Sequence, residues 1–162
     1  MAVTWTKKMT LIHDFSPKLH LWIPVLSTAD VGSGAMVTYD ATNKYIDDEI
    51  DTVTDDSVFI GVAQAESLQP NTKEIPVFPF GVFKAALVSA TYSHGAGLKY
   101  DATANDGTLV ADAGANTVAW FWSLTNGLPG SGATSITEGY VYVNVPLLMS
   151  NAGTKLWAVA TT

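Results

Sequence analysis

Short strand-like segments separated by turn residues fill this sequence, and that pattern restricts the chain to a β-rich fold. No window of about twelve residues repeats apolar positions at helical spacing without an intervening glycine, proline or β-branched cluster. The segments with strand character are Val3 to Ile12, Leu19 to Leu26, Ala35 to Tyr39, Val58 to Gln64, Glu74 to Phe80, Val82 to Ala90, Gly97 to Tyr100, Thr108 to Ala111, Val118 to Leu124, Gly139 to Leu147 and Lys155 to Ala160. Many short strands of this kind are typical of a β-barrel or β-sandwich. We therefore predict an all-β fold.

An internal similarity divides the middle of the chain into two units. In order along the chain, the matching segments are Val37 to Thr42 with Leu98 to Thr103, Ile60 to Ala63 with Thr117 to Trp120, and Ile75 to Phe78 with Val141 to Pro146. Because the three matches keep their order, a duplicated strand–turn–strand unit explains them better than coincidence does. We predict a duplicated β domain over residues 31–147, with a first unit at 31–90 and a second at 91–147.

Two extensions flank this predicted domain. Residues 1–30 alternate apolar and polar positions and end in the apolar run Leu21 to Leu26. This pattern predicts an N-terminal arm with the first strands, able to pair with a sheet edge of its own subunit or of a neighbour. Residues 148–162 contain the apolar stretch Lys155 to Ala160, which predicts a C-terminal strand or tail.

Each predicted unit has an aspartate directly after a strand that ends in tyrosine. Asp40 follows Tyr39, and Asp101 follows Tyr100. An aspartate in this position accepts hydrogen bonds from the backbone N–H groups of the following turn. We therefore interpret Asp40 and Asp101 as structural turn residues and favour this role over a catalytic one.

The composition excludes several classes of function. Eight lysines, fifteen acidic residues and no arginine give a formal charge of −7, which disfavours nucleic acid as a partner. The absence of cysteine excludes disulfides, thiolate metal sites and cysteine nucleophiles. The sequence contains no apolar run of membrane-spanning length and no signal-peptide pattern, so we predict neither a membrane partner nor secretion.

Motifs of catalysis and of cofactor binding are missing from the sequence. His13, His20 and His94 share no metal-ligand spacing, and no serine lies in a nucleophile elbow. The short glycine pairs lack the context of a phosphate-binding loop. We therefore predict no catalytic residues, no metal and no cofactor, and we expect a protein that is not an enzyme.

Seven of the fifteen acidic residues lie close together in the sequence. They are Asp40, Asp47, Asp48, Glu49, Asp51, Asp55 and Asp56. Such a segment offers oxygen ligands for a cation, although the spacing and turn glycine of an EF-hand are missing. A solvated acidic loop is the favoured interpretation, and a bound cation is the alternative. A glycosidase-like pair of acids also remains open, but no motif selects one pair.

Aromatic residues suggest surfaces for contact with other molecules. In Trp120-Phe121-Trp122, strand alternation places the two tryptophans on one face and the phenylalanine on the other. Both faces of this strand are then covered, so a core or a subunit interface is favoured over a groove that stacks on sugar rings.

The order of these motifs resembles a known family. A glycine turn at Gly32 to Gly34 leads into a strand that ends in Tyr-Asp, and Asp55-Asp56-Ser57 precedes Phe59 to Ala63. Ile75 to Val77 then runs into Phe80-Gly81-Val82-Phe83. Over residues 31–147 this pattern resembles the small head decoration, or cement, proteins of tailed bacteriophages.

The resemblance implies a fold, a partner and a location. It implies a small β-barrel or β-tulip-like subunit, often a homotrimer, that binds the outer surface of the major capsid protein lattice and stabilises the virion. Such a protein assembles in the host cytoplasm and acts as a structural protein of the capsid. The residues that we expect to contact the capsid or a neighbouring subunit are Trp5, Met9, Leu11, Leu21, Trp22, Ile23 and Trp157. The alternative function is a carbohydrate-binding or tail-fibre-type β module.

Overall fold

All regular secondary structure in the described part of the chain is β-strand, which confirms the predicted all-β class. The computed structural model describes residues 3–13, 21–40, 42–50, 59–113, 117–122 and 135–145. Its strands are β1 (Thr10–His13), β2 (Leu21–Pro24), β3 (Met36–Asp40), β4 (Tyr45–Glu49), β5 (Phe59–Ala63), β6 (Glu74–Phe78), β7 (Phe80–Ala90), β8 (Gly97–Tyr100), β9 (Leu109–Ala111), β10 (Ala119–Phe121) and β11 (Ile136–Asn144).

The last five strands close into a β-barrel, as predicted, and we call this unit the C-terminal barrel. The strand order is β7-β11-β10-β8-β9, and all of these pairs are antiparallel. The ring closes where β9 pairs with β7 in parallel, at Leu87 and Leu109. The strand β1 adds to β7 at Val82 to Lys84, on the part of β7 that precedes this closure.

The strands β2 to β6 form a second unit, which we call the N-terminal sheet. Their order is β2-β6-β5-β3-β4, with every neighbouring pair antiparallel. The outer strands β2 and β4 approach each other at a single parallel bridge between Val25 and Ile46. The amide of Leu26 donates to the carbonyl of Ile46 at 2.9 Å beside this bridge.

The two units have the same strand order and matching registers. When the five strands of each unit are numbered one to five along the chain, both units have the order one, five, four, two, three. In both units the third strand then meets the first in parallel. One row of paired residues crosses three strands in each unit: Met36, Val62 and Phe78 in the N-terminal sheet, and Gly97, Trp120 and Tyr142 in the C-terminal barrel. Residues at corresponding places in the two units are called equivalent below.

The turns around the equivalent strands β3 and β8 also correspond. Gly34 and Gly95, just before the strands, have φ of +86° and +79°, which glycine adopts without a side-chain penalty. After each strand, the amide of Lys44 donates to the carbonyl of Asp40, and the amide of Asn105 donates to that of Asp101. Lys44 and Asn105 are both left-handed, with φ of 66° and 47°.

The strands are grouped differently from the segments predicted for the two units. The strand at Val82 to Ala90, predicted in the first unit, belongs to β7 and pairs with β11 from Phe80 to Ala90. The strand β2, predicted within residues 1–30, pairs with β6 inside the N-terminal sheet. Strand pairing therefore places the change of unit between β6 and β7. An arm that reaches beyond the subunit stays a prediction, as does descent from one duplicated unit.

The buried apolar residues of the described segments form two clusters. The smaller lies inside the N-terminal sheet and includes Ile23, Val37, Ile46, Ala63 and Val77. The larger joins the interior of the C-terminal barrel to one face of the N-terminal sheet; its members include Leu87, Leu98, Phe121 and Val141 from the barrel, Met36, Val62 and Phe78 from the sheet, and Trp5 and Met9 from the N-terminal segment. Burial of apolar side chains in this larger cluster stabilises the packing of the two units against each other, because apolar burial is the dominant favourable term in folding.

A buried carboxylate fixes the N-terminal segment between the two units. Glu49 is 1% exposed, and its two oxygens accept backbone N–H groups from Thr4 at 2.6 Å, Trp5 at 2.9 Å and Gly32 at 2.7 Å. The indole N–H of Trp5 donates to the carbonyl of Ile50 at 2.8 Å, while its ring stacks on Tyr100 at 5.7 Å. Trp5 is therefore hydrogen-bonded to the N-terminal sheet and stacked on the C-terminal barrel.

Replacing Glu49 with alanine is expected to destabilise the protein by about 2 kcal/mol or more. The change leaves the buried amides of Trp5 and Gly32 and the part-buried amide of Thr4 without their acceptor, and each unsatisfied buried donor costs about 1–3 kcal/mol. Urea unfolding monitored by tryptophan fluorescence measures the effect. The matched control is Glu74→Ala at an exposed strand position, which is expected to change stability by no more than about 0.5 kcal/mol. Equal stabilities for the two variants would contradict this role of Glu49.

The equivalent glycines Gly34 and Gly95 are expected to respond differently to substitution by alanine. Both substitutions incur the cost of a left-handed alanine, about 1–2 kcal/mol. At Gly34 the new Cβ would also lie 2.6 Å from the carbonyl oxygen of Met9, whereas at Gly95 nothing lies within 4 Å. Thermal unfolding should therefore show a clearly larger loss for Gly34→Ala than for Gly95→Ala. Equal losses would show that residues 8–9 do not pack against this turn.

Candidate functional site

Three of the residues predicted to contact a partner lie inside the protein. Trp5 is 0% exposed, Met9 5% and Ile23 7%. Trp5 and Met9 belong to the cluster that joins the two units, and Ile23 belongs to the core of the N-terminal sheet. This corrects the expectation that their side chains lie on a contact surface. Alternation along β2 explains the case of Ile23, which faces inward while its neighbours Trp22 and Pro24 face outward.

Trp22 is the predicted contact residue that the structure presents to solvent. Its side chain is 65% exposed on β2. It stands opposite Pro76 of β6, and the next outward residue on β2 is the exposed Pro24. Leu11 and Leu21 are half-buried and pack against the two apolar clusters. Trp157 lies outside the described residues.

Two further large apolar side chains are exposed in the described part of the chain. Ile12, on β1, is 45% exposed, and Leu68, in the connection between β5 and β6, is 40% exposed. Among the described strands, β1 pairs with β7 alone and therefore lies at the end of the row. An end strand with an exposed isoleucine suits the addition of another strand.

The outer side of the C-terminal barrel carries an aromatic face made of Trp120, Trp122 and Tyr142. Phe121 points into the barrel and is 2% exposed, while the two tryptophans are half-buried on the outside. This confirms the alternation, which predicted that the tryptophans and Phe121 lie on opposite faces. The ring of Tyr142 lies 6.5 Å from that of Trp120 and 5.7 Å from that of Trp122 in an edge arrangement. His94 meets Trp122 edge-on at 5.6 Å. These contacts hold the rings in a preorganised arrangement.

Asp40 and Asp101 both tie the turns that follow their strands. The Oδ1 atom of Asp40 accepts the amides of Thr42 at 2.7 Å and Asn43 at 3.0 Å, and Oδ1 of Asp101 accepts the amide of Thr103 at 3.0 Å. The side-chain and backbone hydrogen bonds from Asn43 hold the pKa of Asp40 below its usual value. Both aspartates thus make bonds of the turn-capping type.

The described part of the acidic segment divides into residues with different environments. Asp47 is exposed, Asp48 is half-buried and Glu49 is buried on backbone amides. Asp51, Asp55 and Asp56 lie outside the described residues. Over residues 3–13, 21–40, 42–50, 59–113, 117–122 and 135–145, no three His, Asp or Glu side chains converge as metal ligands. The structural role of Glu49 is not visible in the sequence, where it stands among other acids.

Lysines from distant parts of the chain meet at a cleft of about 360 Å³. Its lining residues are Lys7, Lys8, Thr10, Lys84, Ala85, Ala86, Thr137 and Glu138. Lys7 is paired with Asp106 and Lys84 with Glu138, each at 2.8 Å. This cleft holds three of the eight lysines of the chain. Sequence reasoning missed it because β1 and β11 reach it only by pairing with β7.

No protein-family model matches this chain, and no curated protein matches it significantly. In the described residues, no helix has the length and apolar character needed to cross a membrane.

The ion pair between Lys7 and Asp106 is expected to make stability depend on pH in the acid range. Hydrogen bonds from Lys7 and Thr108 hold the pKa of Asp106 below its usual value. The contribution is therefore complete above the unfolded pKa of about 3.9, and it is lost as pH falls through the lower pKa of the folded state. Because the pair is partly exposed, Asp106→Asn should cost about 0.5–1 kcal/mol at neutral pH.

Urea unfolding from neutral pH down to about pH 2.5 measures this dependence, since that range spans the usual titration of aspartate. The difference between the parent protein and Asp106→Asn should shrink as pH falls. Asp47→Asn, at an exposed position, controls for the change in net charge. A difference between parent and Asp106→Asn that stays constant over this range would contradict the assignment.

Proposed function

We propose that the protein is a structural virion protein, a capsid decoration subunit that binds the outer surface of the major capsid protein lattice and stabilises the head. In this proposal it acts without catalysis, as a homo-oligomer that we expect to be a trimer. The exposed Trp22 is the observation that carries the proposal. The resemblance of residues 31–147 to decoration proteins supplies the partner.

Trp22 has the properties of an interface anchor. A tryptophan that is 65% exposed carries a large apolar area that a partner can bury. Its place between prolines, with Pro24 on its own strand and Pro76 opposite, limits backbone freedom around it. A rigid anchor loses little conformational entropy on binding. Such an anchor suits a protein that is required to hold a partner rather than to transform a substrate.

The composition of the chain supports binding through a weakly charged surface. Charged residues make up only 14% of the sequence, while apolar residues make up 48%. A surface of small and hydroxyl side chains costs less to remove from water than a surface of charges. Many identical contacts on a symmetric shell then add through avidity. The exposed edge of β1, with Ile12, offers a second place for contact.

The aromatic face favours a second candidate function, a carbohydrate-binding or tail-fibre-type β module. Aromatic rings such as those of Trp120 and Trp122 stack on the apolar faces of sugar rings, and both are partly accessible on the barrel. This function predicts glycan-array binding that Trp120→Ala abolishes and that Trp22→Ala leaves unchanged. Absence of glycan binding would remove this candidate.

Trp22→Ala is expected to weaken attachment to the capsid at least tenfold per binding site. Truncation of a central interface tryptophan costs about 2 kcal/mol or more, and about 1.4 kcal/mol corresponds to tenfold in affinity. Co-sedimentation with heads that lack the decoration protein measures the binding. Leu68→Ala is the matched control, because it truncates another exposed apolar side chain, which lies in the connection between β5 and β6 and not on β2.

Binding by the two variants and by the parental protein tests the proposed function and the contact at β2. Weaker binding for Trp22→Ala, with parental binding for Leu68→Ala, supports a shell contact at β2. Parental protein that fails to bind such heads would overturn the proposed function. Deletion of residues 1–20 is a poor test, because it also removes Trp5 from the core.

A further inference from the structure

The contact between the two units uses a particular pair of surfaces. On the N-terminal sheet, the row of Met36, Val62 and Phe78 is buried. It belongs to the same apolar cluster as Phe83 and Tyr100 of the C-terminal barrel, which are both 0% exposed. The outer row of one unit and these two side chains of the next unit therefore share one apolar cluster with Trp5 and Met9 of the N-terminal segment.

Each of these two surfaces has an equivalent in the other unit, and both equivalents are partly accessible to solvent. The equivalent of the buried row is Gly97, Trp120 and Tyr142, which are half-buried on the aromatic face. Register makes Leu21 the equivalent of Phe83, because Leu21 stands opposite Val77 and Phe83 stands opposite the equivalent Val141. Tyr39 is likewise the equivalent of Tyr100, because they stand opposite the bridge residues Ile46 and Leu109. Leu21 and Tyr39 are also half-buried. Both halves of the internal contact therefore recur in accessible form.

We propose that a second copy of this chain docks head-to-tail, with its N-terminal sheet at Leu21 and Tyr39 against the aromatic face of the C-terminal barrel. The contact between copies then pairs the equivalents of residues that share one apolar cluster within a single copy. Such a contact is heterologous, because the two surfaces differ, and it closes into a ring or continues as a filament. Each copy offers one surface of each kind.

The distribution of charge favours this orientation. Residues 21–78 contain ten acids and two lysines, a formal charge of −8, while the rest of the chain contains five acids and six lysines, a formal charge of +1. Contact between two N-terminal sheets brings like charges together, whereas head-to-tail contact does not. Three of these six lysines line the cleft. Complementary charge steers association and suppresses wrong orientations.

This inference specifies the homo-oligomer of the proposed function, but it does not depend on attachment to a capsid. The contact is tested on the isolated full chain, and capsid attachment is tested with heads and Trp22→Ala. A negative result in one experiment therefore does not change the interpretation of the other.

Two variants, each with one surface removed, test the contact by complementation. Trp120→Ala disrupts the aromatic face, and Tyr39→Ala disrupts the surface of the N-terminal sheet at Leu21 and Tyr39. Each variant keeps the other surface intact. Sedimentation velocity of the parent is expected to show oligomers, and each variant alone should dissociate with at least a tenfold higher dissociation constant. An equal mixture of the two variants should form complexes of two copies that grow no further, because one intact contact remains per pair.

Controls and second variants keep the result interpretable. Leu68→Ala lies on neither surface and should associate like the parent. Circular dichroism checks the fold, and Tyr142→Ala and Leu21→Ala replace the first variants if either fails to fold. A parent that stays monomeric overturns the proposal. So does a parent that stops at two copies, or a mixture that shows no complementation, because an isologous contact gives both results.

Discussion

The carboxylate of Glu49 is the interaction on which the arrangement of the two units depends. It is a buried charge satisfied by three backbone amides, two of them in the N-terminal segment. These bonds hold Trp5 where its indole is hydrogen-bonded to Ile50 and stacked on Tyr100. Hydrogen bonds to an ionised acceptor are stronger than neutral ones, so one side chain fixes the direction of a segment that has no regular strand before β1. The remaining contacts between the units form around this segment.

The same strand order serves two units with different outer surfaces. Equivalent inward positions are apolar in both, as with Val37 and Leu98 or Val77 and Val141. The equivalent outward row is buried at Val62 but half-exposed at Trp120. Inward positions are constrained by packing, whereas outward positions are free to differ. The differences between the units therefore show which outward surface is covered within the chain and which is accessible, while the shared pattern reports only the fold.

Much of the fold is predictable from the sequence, and the failures have physical causes. The Tyr-Asp turns are recognisable because local hydrogen bonds and left-handed positions determine them. The match of Ile60 to Ala63 with Thr117 to Trp120 rested on their Val-Ala pairs, which set Val62 against Val118. This match was wrong by two residues, because register places Trp120 opposite Gly97 just as Val62 stands opposite Met36. A shift of two residues keeps each side chain on its face, so the hydrophobic pattern alone does not detect it.

The all-β class, the turns and the alternation that places Trp120 and Trp122 on the face opposite Phe121 are predictable from the amino-acid sequence, because each depends on neighbouring residues. The three-dimensional structure was needed to assign β7 to the C-terminal barrel and to identify Trp5 and Met9 as core residues. It also decided that Trp22 is the exposed member of the predicted contact set, and that lysines far apart in the chain share a cleft. These properties depend on which strands pair at long range, and a residue's local pattern is the same whether its face meets solvent or another sheet.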